Sequence, residues 1–160
     1  MDYIKSLAAP QSTEPANCFL CQAAESGDQA TDRQRLVLWR TDLVVVLMNR
    51  YPYSNGHLLI APRAHKAEME ELTDAEWCEM GRQTTAAVKL LKAAVSAQGF
   101  NIGINLGRIA GAGIPGHLHQ HVVPRWSGDV NFMHVIGQTS IVPQANEQLW
   151  EELKRIMDNG

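Results

Sequence analysis

The residues best suited to chemistry in this sequence are three histidines at alternate positions, His117, His119 and His121. Side chains alternate across a β-strand, so an extended segment places all three rings on one face and Leu118 and Gln120 on the other. Successive rings then lie within about 7 Å of one another. Imidazole binds metals, transfers protons or attacks electrophiles near neutral pH. The spacing therefore predicts a reactive site on one strand.

The residues alone leave three interpretations of this triplet open. The histidines could occupy the solvated face of a strand, although such faces usually carry mixed polar residues. They could all be ligands of one catalytic metal ion, because imidazoles at this spacing suit zinc. In the third interpretation one histidine is a nucleophile, and the other two steer phosphate groups and protons.

The chain has three cysteines: Cys18 and Cys21 form a CxxC pair, and Cys78 stands alone. This small, odd number argues against the disulfide framework of a secreted protein. The pair could be redox-active, but no predicted strand leads into it and no βαβ pattern surrounds it. Two unrelated buried cysteines are another interpretation. Cys78 lies beside the apolar stripe of a predicted helix, where we expect a small packed residue.

The elements that must position these residues are predicted from apolar patterns. Thr73 to Glu76 has the form of a capping box, and apolar residues then recur at helical spacing to Val95, which predicts one long helix. A last helix is predicted over residues 146–157. Strands grouped before and after a single long helix indicate an α+β fold with an antiparallel sheet. Five strands are predicted, over 35–40, 43–48, 56–61, 101–106 and 118–123, with a tight hairpin at Thr41-Asp42.

Composition limits the class of protein. The 160 residues are 45% apolar and 19% charged, which suits one compact domain over residues 18–160 after an irregular arm over residues 1–17. The net charge of −3 argues against nucleic acid as the main partner. No targeting segment or membrane-length apolar run is evident, so we expect a cytoplasmic protein without a membrane partner.

The segment from His117 to Val123, followed by Pro124 and Arg125, resembles the signature of the histidine triad (HIT) superfamily of nucleotide hydrolases and transferases. The likeness covers roughly residues 18–126. Residues 47–52, 56–62, His65 and 105–107 follow the order and spacing of the family. The continuation over residues 124–133 is similar to the branch that contains dinucleoside polyphosphate (Ap4A) hydrolases and phosphorylases. Gln120 departs from the pattern, because the family usually has an apolar residue there.

The resemblance implies catalytic roles for three histidines. His119 would attack the α-phosphorus of a nucleotide and form a covalent nucleotidyl-imidazole, which water or phosphate then displaces. His121 would contact the phosphate or the leaving-group oxygen. His57 would support the triad without contacting the substrate itself. The resemblance thus implies a nucleotide hydrolase or nucleotidyltransferase that acts on Ap4A-like dinucleoside polyphosphates. The alternatives are a hydrolase whose catalytic metal is held by the triad, and a nucleotide-binding module without turnover.

The resemblance also implies a nucleotide-binding set. Asn49 matches the position that contacts ribose in the family, and Asn105 with Gly107 would offer amides to phosphate oxygens. Glycine allows the close backbone approach that such contacts need. Four basic residues could gather positive potential near a polyphosphate: Arg63, Lys66, Arg108 and Arg125.

A structural zinc ion is a further implication of the resemblance. Its ligands would be Cys18, Cys21, His65 and His117, a closed Cys2His2 set that ties the N-terminal segment to the catalytic strand. No organic cofactor is expected. The resemblance implies a homodimer in which the long helix and a strand edge pair across a two-fold axis.

Overall fold

The computed structural model describes residues 15–129 and 145–159. Most of the predicted arm, and His134, lie outside the described residues. In chain order the regular elements are α1 (Phe19–Ala24), α2 (Gln29–Arg35), β1 (Val37–Arg40), β2 (Val44–Met48), β3 (Leu58–Pro62), α3 (Asp74–Val95), β4 (Gly99–Ile104), β5 (Gln120–Arg125) and α4 (Asn146–Asn159).

The five strands form one antiparallel sheet in the order β1-β2-β3-β5-β4. This arrangement confirms the predicted α+β fold, with the long helix and the C-terminal helix both present. The division into an arm and one domain stays a prediction. Among the described residues, no helix is long and apolar enough to cross a lipid bilayer.

The sheet carries an apolar layer on each face. Helices α3 and α4 cover one face, where Ile60 and Val122 pack in a core with Leu91. Helix α1 covers the other face, beside Val45 and Leu59. Strands β1, β2 and β3 alternate between the two layers, because successive side chains point to opposite faces of a sheet.

The register places His121, the last histidine of the triad, on the α1 side of the sheet. His121 lies opposite Leu59 in the ladder, and Leu59 packs in the layer beneath α1. Gln120 lies opposite Ile60, on the α3 side, where its side-chain amide donates to the hydroxyl of Thr84 over 2.9 Å. The polar residue at position 120 thus has a partner on the long helix, on the face away from the rings.

The ends of the elements differ from the predictions by a few residues. Leu36 lies in the left-handed region, with φ of 60°, and ends α2, so β1 begins at Val37 instead of residue 35. The first turn spans three residues instead of two, because the Thr41 hydroxyl accepts from the amides of Leu43 and Val44. The strand β5 begins at Gln120 instead of residue 118, so two of the three histidines precede the ladder.

The exposure of Cys78 and the presence of helices α1 and α2 differ from the sequence predictions. The prediction that Cys78 is a packed residue is wrong: Cys78 is exposed on α3, because its position falls beside the buried stripe and turns toward solvent. The helices α1 and α2 were not predicted. They are six and seven residues long, too short to show a helical period, although the Asp28 cap that accepts from the Thr31 amide is a start signal.

Candidate active site

The middle histidine of the triad has one defined tautomer. Its Nδ1 lies 2.8 Å from the backbone carbonyl oxygen of His117, which can only accept a hydrogen bond. Nδ1 of His119 therefore carries the proton, and Nε2 keeps its lone pair. The ring is buried, with 6% of its surface exposed. His119 is thus a neutral imidazole whose nucleophilic nitrogen is left uncommitted by this contact.

A second chain of hydrogen bonds fixes the protons of His57 and His121. The backbone amide of Tyr53 donates to Nδ1 of His57 over 3.1 Å, so His57 carries its proton on Nε2. That nitrogen lies 2.9 Å from Nδ1 of His121 and donates to it. Nε2 of His121 must then carry a proton, and it is buried with no hydrogen-bond partner among the residues that the structure describes.

The buried N–H of His121 is the strongest sign that a ligand belongs here. Buried polar groups are nearly always paired, and an unpaired one costs about 1–3 kcal/mol. The rings of His119 and His121 lie 5.0 Å apart in an edge-on arrangement. A lone pair on His119 and an unpaired donor on His121 therefore stand side by side, which suits an electrophile that carries oxygen atoms, such as a phosphate.

Burial keeps these histidines uncharged. It lowers the pKa of His57 to about 3, with help from the neighbouring His121. It lowers the pKa of His121 to about 4, with help from His119. For His119, burial lowers the pKa while the hydrogen bond to the His117 carbonyl acts to raise it. At neutral pH each ring is neutral, as a nitrogen nucleophile must be.

Tyr53 packs against the supporting pair and was not singled out in the sequence. Its ring lies 5.7 Å from that of His121 at an angle of 17°, and 4.6 Å from that of His57. Its backbone sets the tautomer of His57, as described above. The signal was its position between the matched segments over residues 47–52 and 56–62, but nothing in its spacing shows which ring it covers.

Asn49 stands at the end of β2, next to the supporting histidine. Its side-chain amide lies 3.3 Å from Nδ1 of His57, and its carbonyl oxygen accepts from the Tyr51 amide over 3.1 Å. Beside it opens a cavity of about 350 Å³. Its lining includes Phe19 from α1, Leu47 and Met48 from β2, and Tyr51 from the segment that follows β2.

The glycine-rich loop between β4 and β5 contains Asn105 and Gly107. Gly107 has φ of 77°, a conformation that favours glycine, and its carbonyl accepts from the Ala112 amide. Within the described part of the chain, the hydrogen bonds do not join Asn105 or Gly107 to a histidine. Their role in binding phosphate stays a prediction.

Of the four basic residues expected to gather positive potential, two are committed to carboxylates. Lys66 pairs with Glu76 at 2.6 Å, and Arg125 pairs with Asp129. Their charges are therefore largely balanced by acidic neighbours. The expectation of a cationic polyphosphate site formed by all four is not supported by this pairing.

The first triad histidine belongs to a different group. Ligand atoms of Cys18, Cys21, His65 and His117 all lie within 4.8 Å of one another. The Nε2 of His117 donates to the carbonyl of Pro62 over 2.8 Å, which directs Nδ1 toward both sulfur atoms. This group of four could hold a metal ion, and it does not include His119 or His121.

The spacing of these atoms fits a tetrahedral ion. Sulfur–nitrogen distances are 3.3 Å from Cys18 to His117, 3.4 Å from Cys21 to His117 and 3.1 Å from Cys21 to His65. Tetrahedral zinc with ordinary bond lengths separates such atoms by about 3.6 Å. Burial raises the pKa of the Cys21 thiol to about 12, and the nearby Cys18 adds to this. A bound cation would oppose both effects and favour thiolate.

The fold agrees with comparisons to known proteins. The sequence profile of the HIT domain matches residues 30–128. The chain therefore belongs to the HIT domain family, as its resemblance implied.

Two relatives are similar to this chain in sequence, and one solved structure is similar in fold. An AP-4-A phosphorylase of Mycobacterium tuberculosis (strain H37Rv) is 44% identical over 116 residues, which are 72% of this chain and 60% of that relative. An uncharacterized HIT-like protein of Saccharolobus solfataricus is 31% identical, over 72% of this chain and 79% of that protein. A crystal structure of a Zn-bound histidine triad family protein from Mycobacterium smegmatis has the same fold. Its TM-score is 0.70 at 19% identity, over 91% of this chain and 96% of that one.

The low pKa of His57 predicts a measurable pH dependence of stability. Between pH 6.5 and about 3 the unfolded chain binds a proton at this residue that the folded chain does not. Its contribution to stability is therefore complete above pH 6.5 and is lost as the pH falls toward 3. One proton corresponds to a slope of at most about 1.4 kcal/mol per pH unit.

We expect the substitution His57→Asn to flatten this dependence. The free energy of unfolding, measured with denaturant at pH 7, 6 and 5, should fall less steeply in the variant than in the unsubstituted chain. Because other acid-sensitive groups are common to both proteins, the difference between the two slopes isolates His57. Equal slopes would contradict the neutral, buried state of this ring.

Proposed function

We propose that this protein is an enzyme that transfers a nucleoside monophosphate group from Ap4A-like dinucleoside polyphosphates or related nucleotides. The AP-4-A phosphorylase named above supports this substrate class. A bis(5'-nucleosyl)-tetraphosphatase of Schizosaccharomyces pombe, 31% identical over 58% of this chain and 50% of that protein, supports it further. The observation that carries the proposal is the complementary pair of nitrogens, a lone pair on His119 beside an unpaired N–H on His121.

The reaction proceeds in two displacements. Nε2 of His119 attacks the α-phosphorus, a nitrogen–phosphorus bond forms, and the bond to the polyphosphate leaving group breaks. The ring retains its Nδ1 proton and becomes positively charged beside the His117 carbonyl oxygen, which stabilises it. The Nε2–H of His121 donates to an oxygen of the phosphate or the leaving group. His57 holds His121 in the tautomer that can do so.

The second displacement decides the class of enzyme. Water attacking the nucleotidyl-histidine gives a nucleoside monophosphate and makes the enzyme a hydrolase. Inorganic phosphate gives a nucleoside diphosphate and makes it a phosphorylase. In both cases the phosphorus–nitrogen bond breaks, His119 returns to its neutral form, and the proton of the acceptor leaves to solvent.

We place the nucleoside beside Asn49. The cavity next to this residue is large enough for a nucleoside. Its lining combines apolar and aromatic side chains with polar ones, as is usual for ligand sites, and the polar ones include Gln22, Arg35 and Arg50. The Asn49 amide lies next to His57, so a ribose held there would present its 5'-phosphate to the triad. We also propose that Asn105 and Gly107, on the adjacent loop, contact the phosphate groups.

Removal of the nucleophile tests this function. We expect His119→Ala to lower kcat for hydrolysis or phosphorolysis of diadenosine tetraphosphate about a thousandfold or more, because no other group supplies the covalent step. The thermal unfolding transition should stay cooperative. Products are separated by mass with and without added phosphate, and ADP that appears only with phosphate identifies the phosphorylase.

Three outcomes of that assay would redirect the proposal. Near-normal turnover by His119→Ala would exclude the covalent mechanism. Turnover that ceases on chelation while the fold persists would favour a catalytic metal on the triad. Binding of nucleotide with no product from the unsubstituted chain would favour a binding module.

We also propose that the group of Cys18, Cys21, His65 and His117 holds a structural zinc ion. Four sulfur and nitrogen ligands leave no open position, so the ion would supply no chemistry to the substrate. It would tie α1 to the segment that precedes β5. A reducing, cytoplasmic location suits this proposal, because the ligand cysteines must be free thiols, as they are in the structure.

The chain offers a matched pair of variants for this site. We expect Cys21→Ser to lower bound zinc, measured by plasma mass spectrometry, well below one ion per chain and to lower the Tm. Cys78→Ser, which alters an exposed cysteine outside the group, should leave both unchanged. Equal zinc content in the two variants would contradict the assignment.

We further propose that the protein is a homodimer formed through β4. This strand lies at the edge of the sheet, and Ile102 on it is 47% exposed. An exposed apolar edge strand is a template for pairing with another strand. Analytical ultracentrifugation should give twice the chain mass, and Ile102→Lys should shift the protein toward monomer. A monomeric unsubstituted chain would contradict the dimer.

A further inference from the structure

A partly buried ion pair outside the triad lies next to the segment that leads to the nucleophile. Glu76, in the first turn of α3, has only 6% of its surface exposed. Its two oxygens lie 2.6 and 2.9 Å from Nζ of Lys66. The same carboxylate accepts from the backbone amide and hydroxyl of Thr73, which completes the capping box of the helix. The side chain of Lys66 is therefore anchored to the start of the longest helix.

The backbone of Lys66 is tied in turn to the triad. Its carbonyl oxygen accepts from the amide of Leu118 over 2.7 Å. The Leu118 amide and the His117 carbonyl belong to one peptide group. That carbonyl is the acceptor of the His119 Nδ1 proton. The N–H of this peptide group is therefore held by the Lys66 carbonyl. The C=O of the same group accepts the Nδ1 proton of His119 and so fixes the tautomer of that ring.

Hydrogen bonds in such a series strengthen one another, because each polarises the next. Donation by the Leu118 amide makes the His117 carbonyl a better acceptor and fixes its direction. Rotation of this peptide group would leave Nδ1 of His119 without its acceptor, and the ring could then take the other tautomer. The proton on Nε2 would block the lone pair needed for attack.

We propose that Glu76 and Lys66 are positioning residues for His119, acting through the peptide group between His117 and Leu118. The inference rests on the proposed role of His119 as nucleophile. Neither side chain needs to touch the substrate. The pair sets where the Lys66 carbonyl lies, and this carbonyl sets the orientation of the peptide group that holds the nucleophile in its reactive form.

The neighbouring backbone is held by other contacts, so loss of the pair should shift this segment without unfolding it. The Arg63 amide donates to the Leu43 carbonyl, and the amides of Ala67 and Glu68 donate to Glu71. Lys66 lies between these two tethers. The adjacent His65 contacts Sγ of Cys21 through its side chain, and the Lys66 side chain is the part of this segment that Glu76 holds.

The central test is Glu76→Gln, which removes the charge and keeps a residue that can complete a capping box. We expect kcat to fall about 10- to 100-fold, as for a small misplacement of a reacting group, with KM within about twofold. The matched control is Glu79→Gln, one turn further along α3. Its carboxylate contacts Arg82 and Gln83 and has no link to Lys66, so kcat should stay within about twofold.

A spectroscopic measurement separates positioning from general loss of structure. Nitrogen-15 NMR of the labelled histidines reports which ring nitrogen carries the proton. In the unsubstituted chain His119 should be wholly the Nδ1–H form. In Glu76→Gln a fraction should carry the proton on Nε2, or exchange the Nδ1 proton faster with water, while His57 and His121 keep their signals.

A second variant covers the case in which an unpaired lysine destabilises the fold. Lys66→Met combined with Glu76→Gln removes both charges, an exchange that buried ion pairs often tolerate. It should show the same fall in kcat and the same change at His119. Folded variants with unaltered kcat, or with an unaltered His119 spectrum, would overturn the proposal. Should His119→Ala retain activity, the proposed function fails, whereas the spectrum of His119 still tests the link to Glu76.

Discussion

The hydrogen bond from Nδ1 of His119 to the backbone carbonyl of His117 is the interaction on which the site depends. It assigns the ring proton to one nitrogen and leaves the other nitrogen with its lone pair. A side-chain acceptor could titrate or rotate about its own bonds, whereas a peptide carbonyl does not titrate and turns only when the backbone moves. The fold supplies this carbonyl two residues before the proposed nucleophile, at the point where the chain has not yet entered the ladder of β5.

The same geometry divides the triad into unlike parts. His117 turns its side chain into the group with the two cysteines and His65, while its backbone serves His119. His121 lies in the sheet, and the hydrogen bond from Nε2 of His57 determines its tautomer. The start of β5 thus carries both a candidate metal centre and a candidate nucleophile. His117 takes part in both, whereas His119 is not a ligand in the metal group. His117 therefore joins the candidate metal group to His119 through the backbone carbonyl that holds the Nδ1 proton.

Much of this was predictable from the sequence, for physical reasons that differ by residue. The alternate spacing of the histidines predicted a shared face, because a period of two is a property of extended chain. The capping box at Thr73 predicted the start of the long helix, because it is a local pattern. The separation of His117 from the other two rings was not visible in the spacing, and it was found through the family resemblance.

The remaining differences arise from contacts between residues distant in the chain. Glu76 could be recognised as part of a cap, but its pairing with Lys66 depends on how β3 leads into α3. The exposure of Cys78 depends on which side of the helix faces the sheet. The stacking of Tyr53 on His121 joins residues 68 positions apart. Patterns in a single sequence report local periods well, and they report such tertiary contacts poorly.

A covalent bond between nucleotide and His119 is the central claim, and it can be observed directly. The protein is mixed with diadenosine tetraphosphate for less than one turnover, quenched in alkaline denaturant to preserve the phosphorus–nitrogen bond, and digested for mass spectrometry. The structure predicts a peptide that carries one adenylyl group on His119, absent when substrate is omitted. Product formation without any such adduct, or an adduct on a different residue, would contradict the claim.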